Sequence, residues 1–237
     1  MTERDSLFRD PQQIVDFAFD QRVVEVFPDM IRRSIPGYDT IIPLSGLIIA
    51  EHLNDGDVCY DLGCSLGATT LAITQRLNEK RCRIIGIDNS QAMLDKARAL
   101  IEHPDVDFQK GDIRHFDYKP AGAIVMNFTL QFVPPDERAA LIARVYSSLQ
   151  PGGLLLISEK ITCSDDAQEG YFSLLHQKYK MANGYSELEV SQKRSALEKV
   201  MIIDQLSTHQ KRLRNSGFAK IQVWFRCLNW TSILAFK

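Results

Sequence analysis

The sequence predicts a doubly wound α/β fold with a mostly parallel, seven-stranded sheet, and three observations indicate it. Apolar runs without polar alternation recur along residues 57–160, which is typical of strands covered by helices on both faces. Helix-like stretches alternate with these runs, as right-handed crossover connections require. Residues 220–227 and 230–237 form two strand-like runs joined by a very short turn, which predicts a closing antiparallel hairpin.

The elements of the core follow one another in chain order. Apolar runs predict five strands: four at residues 57–62, 81–88, 106–113 and 154–160, and one, the fourth in chain order, within residues 122–133. Helices are predicted over residues 68–80 and 90–102. A further helix begins near Pro134 and Pro135, which suit a first helical turn, and ends before Pro151.

Helical segments flank this core. Breakers divide residues 1–50 into short helices joined by turns, at Pro28, Pro36, Gly37 and Pro43. About three helical stretches interrupt the alternation over residues 162–218. We therefore expect a single domain, 1–237, made of an N-terminal helical cover (1–50), a ligand-binding core (57–160), a helical insertion (162–218) and the hairpin (219–237).

Composition limits the class of protein. The 237 residues carry a net charge of −2, with 45% hydrophobic and 24% charged residues. These values exclude disorder, collagen and coiled coil as overall descriptions. A sequence-independent nucleic-acid binder would need an excess of basic residues, so direct nucleic-acid binding is not expected.

Location and metal content are also constrained. The charged start MTERDSLFRD is unlike a signal peptide, and no apolar run approaches the roughly 18 residues of a membrane span. Five cysteines without a C-x-x-C pair indicate neither a disulfide framework nor a zinc site. We expect a cytoplasmic protein without a metal, a disulfide framework or a membrane partner.

The loop after the first strand is the first candidate site, within YDLGCSLGATTL (60–71). Ligands of doubly wound sheets bind at the carboxyl ends of the strands, where this loop lies. Gly63 and Gly67 permit positive φ angles and close approach of a ligand. Their spacing lacks the G-x-G-x-x-G pattern of dinucleotide sites, and Asp61 would repel phosphate and attract a cationic amine or sulfonium. A nucleoside without phosphates is therefore favoured over NAD.

Polar side chains follow the next strands at the same edge. Asp88 ends the second strand, where a carboxylate can accept hydrogen bonds from both ribose hydroxyls. Asp112 and Ile113 close the third strand and suit an adenine. Asn127 lies in the apolar fourth strand, where its amide needs a partner. Structural alternatives exist, since Asp88 can cap a helix and Asn127 can be a satisfied core amide. Together these residues predict S-adenosyl-L-methionine (SAM) as the bound nucleoside.

An arginine lies in the apolar stripe of a helix predicted over residues 186–201. Ser186 and Glu189 have the spacing of a capping box. Apolar residues of the stripe stand on both sides of Arg194, at Val190, Leu197 and Met201. A buried guanidinium needs an anionic partner. That partner is either an Asp or Glu of the protein or a carboxylate on a ligand, and spacing alone does not decide.

The five strands and closing hairpin resemble the outline of class I methyltransferases. More specific segments resemble the carboxy-S-adenosyl-L-methionine synthase family over nearly the whole chain: VFPDMI (26–31), PGY (36–38), YDLGCSLGA (60–68), IDNS (87–90), NFTLQF (127–132) and ANGYSELEVSQKR (182–194). Ordinary methyltransferases do not share the last segment. The chain departs from the family in a shorter loop around His103-Pro104. It also has Asn229-Trp230-Thr231 where the family has an Asn-Phe-Gly turn, which leaves the packing of the hairpin open.

The resemblance implies a set of site residues. The implied SAM contacts are Tyr38, Gly63, Cys64, Ser65, Asp88, Asn89, Asp112, Ile113 and Asn127. It further implies that Arg194 binds the transferred carboxylate, which favours the ligand as its partner. No side-chain base is assigned, and no Ser-His-Asp or Cys-His arrangement is readable.

The resemblance also implies a reaction. The family uses prephenate to carboxylate the methyl group of SAM, releasing phenylpyruvate and water. A tRNA carboxymethyltransferase then uses the product, carboxy-SAM, at a wobble uridine. A homodimer is implied as well. The rival hypotheses are an ordinary SAM-dependent methyltransferase and a non-catalytic, SAM-binding regulatory subunit.

Overall fold

The computed structural model describes residues 3–11 and 17–237. Its α-helices in these ranges are α1 (Gln21–Ser34), α2 (Tyr38–His52), α3 (Ala68–Thr74), α4 (Gln91–Leu100), α5 (Arg138–Ser148), α6 (Asp166–Ala182), α7 (Glu187–Leu197) and α8 (Leu206–Asn215). Its strands are β1 (Val58–Leu62), β2 (Arg83–Asp88), β3 (Val106–Lys110), β4 (Ala121–Asn127), β5 (Leu149–Thr162), β6 (Asp204–Gln205), β7 (Lys220–Cys227) and β8 (Trp230–Phe236). A short 3-10 helix, Leu130–Phe132, follows β4.

Seven strands form the main path of the sheet, in the order β3-β2-β1-β4-β5-β8-β7. The first five strands pair in parallel, while β8 runs antiparallel to both β5 and β7. The two-residue strand β6 pairs with the end of β5, off this path. The predicted doubly wound sheet with a closing hairpin is confirmed. Its strand order reverses between β1 and β4, which places the ligand-binding crevice at the carboxyl ends of these strands.

Helices cover both faces of the sheet. One face packs against α5 and α8, through the buried side chains of Leu141, Val145 and Leu213. The other packs against α2 and α3, through Ile49 and Ile73. Because both faces are covered, the central strands are apolar along their whole length, as the sequence shows. The helices α6, α7 and α8 lie between β5 and the hairpin, as predicted.

Two prolines expected to break helices lie inside them. Pro28 lies within α1 and Pro43 within α2, so the prediction of short helices ending at these residues is wrong. A proline inside a helix costs about 3 kcal/mol. Each helix buries several large aliphatic side chains, whose transfer from water outweighs that cost.

Several boundaries also differ from the prediction. The helix α3 ends at Thr74 rather than near residue 80, and Asn78 in the following turns has a φ of 53°. The strand β3 ends at Lys110, because the Gly111 N–H makes the last link to β2, with the Asp88 carbonyl at 3.0 Å, before the chain turns away. Asp112 and Ile113 therefore follow the strand rather than close it.

Among the residues described, none of the helices combines the length and the apolar character that a membrane span requires.

Candidate active site

The loop between β1 and α3 lies at the point where the strand order reverses. Gly63, Ser65 and Gly67 have φ angles of 73°, 51° and 78°. The backbone N–H groups of Gly63 and Cys64 donate to the Ile87 carbonyl at 2.8 and 3.1 Å, which ties the loop to β2. A Cβ atom on Gly63 would lie 2.4 Å from the Thr129 side chain, so the loop accepts only glycine there.

Asp88 joins this loop to the start of α4. One carboxylate oxygen accepts from the Ser65 N–H at 2.9 Å and the other from the Ser90 N–H at 2.8 Å. Burial raises the pKa of Asp88, while these N–H groups and that of Asn89 lower it. The carboxylate has four lone pairs for these three N–H groups, so it can still accept a hydrogen bond, such as that of a ribose hydroxyl. The side chain of Ser90, rather than that of Asp88, is the N-cap of α4.

Asp112 is held by an arginine two residues further along the chain. The Arg114 Nε lies 2.9 and 3.0 Å from the two carboxylate oxygens, and this guanidinium holds the pKa of Asp112 below its usual range. A second carboxylate, that of Glu137, accepts from Arg114 at 2.7 Å. Ile113 beside it is buried. An adenine amino group would share the Asp112 carboxylate with Arg114.

Asn127 ends β4, and only one of its two polar amide atoms has a hydrogen-bond partner among the described residues. Its Nδ2 donates to the Thr69 Oγ1 at 3.0 Å. Its Oδ1 is buried and has no hydrogen-bond partner in the part of the chain that the structure describes. Buried polar atoms in native proteins are nearly always paired, so this acceptor indicates a missing donor. The ammonium group of SAM supplies such a donor, and the residues present therefore fit SAM.

Asp61 has a different role from the one predicted for it. The sequence suggested a carboxylate that attracts a cationic ligand, but Asp61 is buried and one of its oxygens is bound to Thr70. That oxygen accepts from the Thr70 N–H at 3.0 Å and from the Thr70 hydroxyl at 2.7 Å. Burial raises the pKa of Asp61 to about 6, against these hydrogen bonds. Asp61 thus holds the first turn of α3 in place.

Aromatic rings stand beside the same end of the sheet. Tyr38 begins α2, and its ring centroid lies 6.1 Å from that of Phe128, which follows Asn127 with a φ of 61°. The Phe128 ring packs edge-on against Trp230 at 5.4 Å. Burial raises the pKa of the Tyr38 hydroxyl. These rings give the site an apolar wall.

Cys64 lies in the glycine loop and is buried. Burial raises the pKa of its thiol well above the usual value. The thiolate is the nucleophilic form of cysteine, and burial disfavours this form at Cys64.

Glu159 is a site residue that sequence reasoning missed. Its buried carboxylate accepts from the backbone N–H groups of the segment after Asn127, at 3.2 Å (Thr129), 2.8 Å (Leu130) and 3.1 Å (Gln131). Burial raises the pKa of Glu159 to about 8, while the hydrogen bonds lower it. The signal was present as an acidic residue in the apolar run LLLISEK. Glu159 fixes the loop that carries Phe128 and Thr129.

Arg194 is exposed, so its predicted place in a buried apolar stripe is wrong. The capping box at Ser186 and Glu189 is present, but α7 ends at Leu197 and buries a different side, which includes Gln192 and Lys193. The cause is the N-terminal segment. Gln192 donates to its backbone carbonyls at 2.9 and 3.0 Å, and Lys193 pairs with Asp5.

The Arg194 guanidinium makes no hydrogen bond or ion pair with any described residue. The structural alternative, a salt bridge to an Asp or Glu of the protein, therefore has no partner in those parts of the chain. Burial is the main cause that lowers the pKa of both Lys160 and Lys180, and the nearby charge of Arg194 lowers both pKa values as well. These three side chains place positive charge beside the end of β5.

The predicted contacts differ in how directly the structure brings them together. Asp88 and Ser65 are hydrogen-bonded to each other, and Asn127 is hydrogen-bonded to Thr69 at the start of α3, so these three predicted contacts share one edge of the sheet. Asn89 is exposed beside Asp88. Within the described ranges, no three His, Cys, Asp or Glu side chains are grouped so as to hold a metal ion.

The sheet order and the glycine loop define the class of protein, one with the fold of methyltransferases. Residues 59–153 match the family model described as a methyltransferase domain. Human N-acetylserotonin methyltransferase in complex with SAM is similar in fold, with a TM-score of 0.64 at 16% identity over 92% of this chain and 55% of that one. An O-methyltransferase family protein from Burkholderia thailandensis has a TM-score of 0.64 at 19% identity over 92% and 60%.

Curated relatives identify the family within this class. Carboxy-S-adenosyl-L-methionine synthase from Trichlorobacter lovleyi is 49% identical over 100% of both chains. The proteins of that name from Geobacter sp. (strain M21) and Escherichia coli (strain K12 / DH10B) are 47% and 46% identical, over 98% and 100% of this chain and 98% of each relative. The chain belongs to the carboxy-S-adenosyl-L-methionine synthase family and is a transferase that uses SAM.

Proposed function

We propose that this enzyme converts SAM and prephenate into carboxy-SAM, phenylpyruvate and water. The observation that carries the proposal is the free guanidinium of Arg194, which has no anionic partner among the described residues and lies near Lys160 and Lys180. A methyl transfer needs no cationic group beside the methyl carbon. A reaction that places a carboxylate on this carbon does, and a guanidinium fork suits a carboxylate.

SAM would occupy the edge of the sheet formed by the carboxyl ends of β1, β2 and β4. Asp88 has lone pairs for the ribose hydroxyls, and Asp112 with Ile113 would border the adenine. The unpaired Oδ1 of Asn127 would accept from the ammonium group. Tyr38, Gly63-Cys64-Ser65 and Asn89 complete the proposed contacts. Arg194 would hold the carboxylate that the reaction adds.

The proposed reaction balances without a protein base. Prephenate loses its ring carboxylate as carbon dioxide, and the electron pair of the broken C–C bond enters the ring and expels hydroxide. Aromatisation drives this step and leaves phenylpyruvate. The hydroxide takes a proton from the SAM methyl group, which the sulfonium acidifies, and becomes water. The methyl carbon then forms a new C–C bond to carbon dioxide and becomes a carboxymethyl group.

The protein would act mainly by positioning. Both substrates must lie side by side, because the carbon dioxide and the hydroxide have to reach one methyl group before they escape. Exclusion of bulk water would protect the deprotonated carbon. The sequence indicates no side-chain base, and this mechanism does not require one.

Mass spectrometry of the product tests the proposal. The enzyme incubated with SAM and prephenate should give a species heavier than SAM by one carbon dioxide. An ordinary methyltransferase would give S-adenosylhomocysteine and would not require prephenate, and that result would favour the rival function. The same analysis of small molecules released by heat-denatured protein shows which form of SAM the enzyme carries when purified.

Arg194→Ala separates binding from carboxylation. This variant should bind SAM and form little carboxy-SAM, since the new carboxylate loses its partner. Arg214→Ala is the matched control, because Arg214 is an exposed arginine on α8. Equal turnover by the wild type and Arg194→Ala would exclude the role proposed for Arg194.

Two partners complete the proposal. A tRNA carboxymethyltransferase would use the released carboxy-SAM at a wobble uridine, without RNA contact by this chain.

A homodimer would form, and large exposed apolar side chains in the insertion suit an interface, at Tyr171, Leu174 and Leu188. Light scattering coupled to gel filtration should give twice the 26.9 kDa chain mass, and a monomer mass would contradict the dimer.

A further inference from the structure

Two lysines lie beside the SAM edge of the sheet and take no part in the contacts described above. Lys180 on α6 is 8% exposed, and Lys160 near the end of β5 is half-buried. No described residue accepts a hydrogen bond from either ammonium group or forms an ion pair with it. Buried or half-buried ammonium groups are normally paired, so these two lack an anion.

The register of the sheet places Lys160 on the same face as Asn127. Asn127 pairs with Ser158 of β5, and Lys160 lies two residues further along the strand. Side chains two residues apart share a face and are separated by about 6.6 Å. Lys160 in turn pairs with Trp230 of β8. Asn127, Lys160 and Trp230 therefore stand on one face, next to the proposed SAM site.

Aromatic rings connect the two lysines. The Trp230 ring packs edge-on against His176 at 5.8 Å, and His176 lies one helical turn before Lys180 on α6. The indole Nε1 of Trp230 is buried and has no acceptor within the described ranges. The Trp230 N–H and the ammonium groups of the two lysines thus lie beside these aromatic rings.

The charges around Lys180 are all positive. Burial and the charges of Lys193, Lys160 and Arg194 together lower the pKa of Lys180 to about 7. Burial and the same lysines lower the pKa of His176 to about 3, so this ring is neutral. Glu169 is the acidic residue whose charge raises the pKa of Lys160. Its carboxylate already accepts hydrogen bonds from the Thr162 hydroxyl at 3.0 Å and the Cys163 N–H at 2.8 Å.

We propose that the ammonium groups of Lys160 and Lys180 bind a carboxylate group of the second substrate, whose ring lies against Trp230. The inference rests on the proposed function, because it takes that substrate to be a cyclic dicarboxylate. Arg194 remains available for the carboxylate transferred to SAM. The two lysines are thus substrate-binding residues that determine which co-substrate the enzyme accepts.

Lys180→Met and Lys160→Met test the inference, with Lys178→Met as the control, because Lys178 is an exposed lysine on the same helix. Loss of a hydrogen bond to a charged group should raise the KM for prephenate about tenfold or more in each variant. The affinity for SAM should not change. Lys180→Met should also unfold at the wild-type temperature or above it, since it removes a buried, unpaired charge.

A pH profile separates binding from a structural role. In the wild type the KM for prephenate should rise above about pH 7, where Lys180 loses its proton. Lys180→Arg should keep a low KM over the same range, because arginine stays charged. A KM for prephenate that stays at the wild-type value in both Met variants would overturn the inference. If Lys180→Met does not fold, the KM of Lys160→Met for prephenate alone tests the inference.

The outcomes separate this inference from the proposed function. If the wild type makes carboxy-SAM and the Met variants keep its KM, the function stands and the lysine site is overturned. If the wild type binds prephenate in calorimetry, makes no carboxy-SAM, and loses affinity in the Met variants, the lysine site stands and the function fails. If the wild type neither binds nor converts prephenate, both are overturned.

Discussion

The Lys193 ammonium lies 3.3 Å from a carboxylate oxygen of Asp5, and both side chains are almost fully buried. The Tyr185 hydroxyl donates to the same carboxylate, and Lys193 also donates to the Ser34 hydroxyl at 2.9 Å. This network joins the N-terminal segment and α1 to α7. Since Arg194 follows Lys193 directly, the ion pair fixes the helix that presents Arg194.

Asp5→Ala should lower the free energy of unfolding strongly. The substitution leaves the Lys193 ammonium buried without its anion, which costs about 3–5 kcal/mol. Urea unfolding measures the change. The double variant Asp5→Ala/Lys193→Met should be more stable than Asp5→Ala, because it also removes the unpaired charge. Asp10→Ala, at an exposed position of the same segment, should change stability by less than about 0.5 kcal/mol. Equal stability of Asp5→Ala and Asp10→Ala would exclude the proposed network.

Asn127→Ala should weaken SAM binding more than it weakens the fold. The Asn127 Oδ1 has no partner in the described parts of the chain, so its removal costs little in the free protein. A hydrogen bond to a charged group is worth about 1.5–3 kcal/mol, which predicts a Kd for SAM at least tenfold higher. Calorimetric titration measures it, with Asn215→Ala on the exposed face of α8 as control. Wild-type affinity in Asn127→Ala would argue against contact with SAM.

Gly63→Ala should abolish SAM binding, whereas Gly152→Ala should not. Both glycines have positive φ angles, 73° and 77°, so both substitutions introduce backbone strain. Only at Gly63 does the new Cβ meet a neighbour, 2.4 Å from the Thr129 side chain, while nothing lies within 4 Å at Gly152. Thermal unfolding and SAM titration of both variants separate strain from the clash. Similar behaviour of the two variants would contradict the close contact at Gly63.

Lys180 should make stability depend on pH in a defined direction. Its pKa falls from 10.5 to about 7 on folding, because of burial and the neighbouring cations. Between these values the unfolded chain binds more protons than the folded protein, so the free energy of unfolding should rise with pH in this window. Lys180→Met should lack this part of the rise, which denaturant unfolding at pH 6 to 10 measures. A difference between wild type and variant that is constant over this range would refute the lowered pKa.

The sequence predicted the fold and the positions of several candidate site residues because these depend on local patterns. Apolar runs covered on both faces gave the parallel strands, and Gly63 and Gly67 have the positive φ angles that their loop suggested. Asp88 stands at the end of β2, where its position in the chain placed it. Each of these features depends on a few consecutive residues and on one general rule of α/β folds.

Contacts between distant residues were beyond sequence reasoning. The orientation of Arg194 depends on Asp5, which is 188 residues away from Lys193 in the chain. Periodicity alone placed Arg194 on the buried side, because it counted apolar residues and ignored buried polar ones such as Gln192 and Lys193. Pro28 and Pro43 mark a similar limit, since tertiary burial decides whether a helix tolerates a proline.

The fate of the ring carboxylate of prephenate tests the central claim most directly. Prephenate labelled with carbon-13 at that carboxylate is incubated with SAM and the purified enzyme, and the mass of the nucleoside product is measured by mass spectrometry. The account predicts carboxy-SAM that carries the label, together with unlabelled phenylpyruvate. Carboxy-SAM without the label, or S-adenosylhomocysteine as the only nucleoside product, would contradict it.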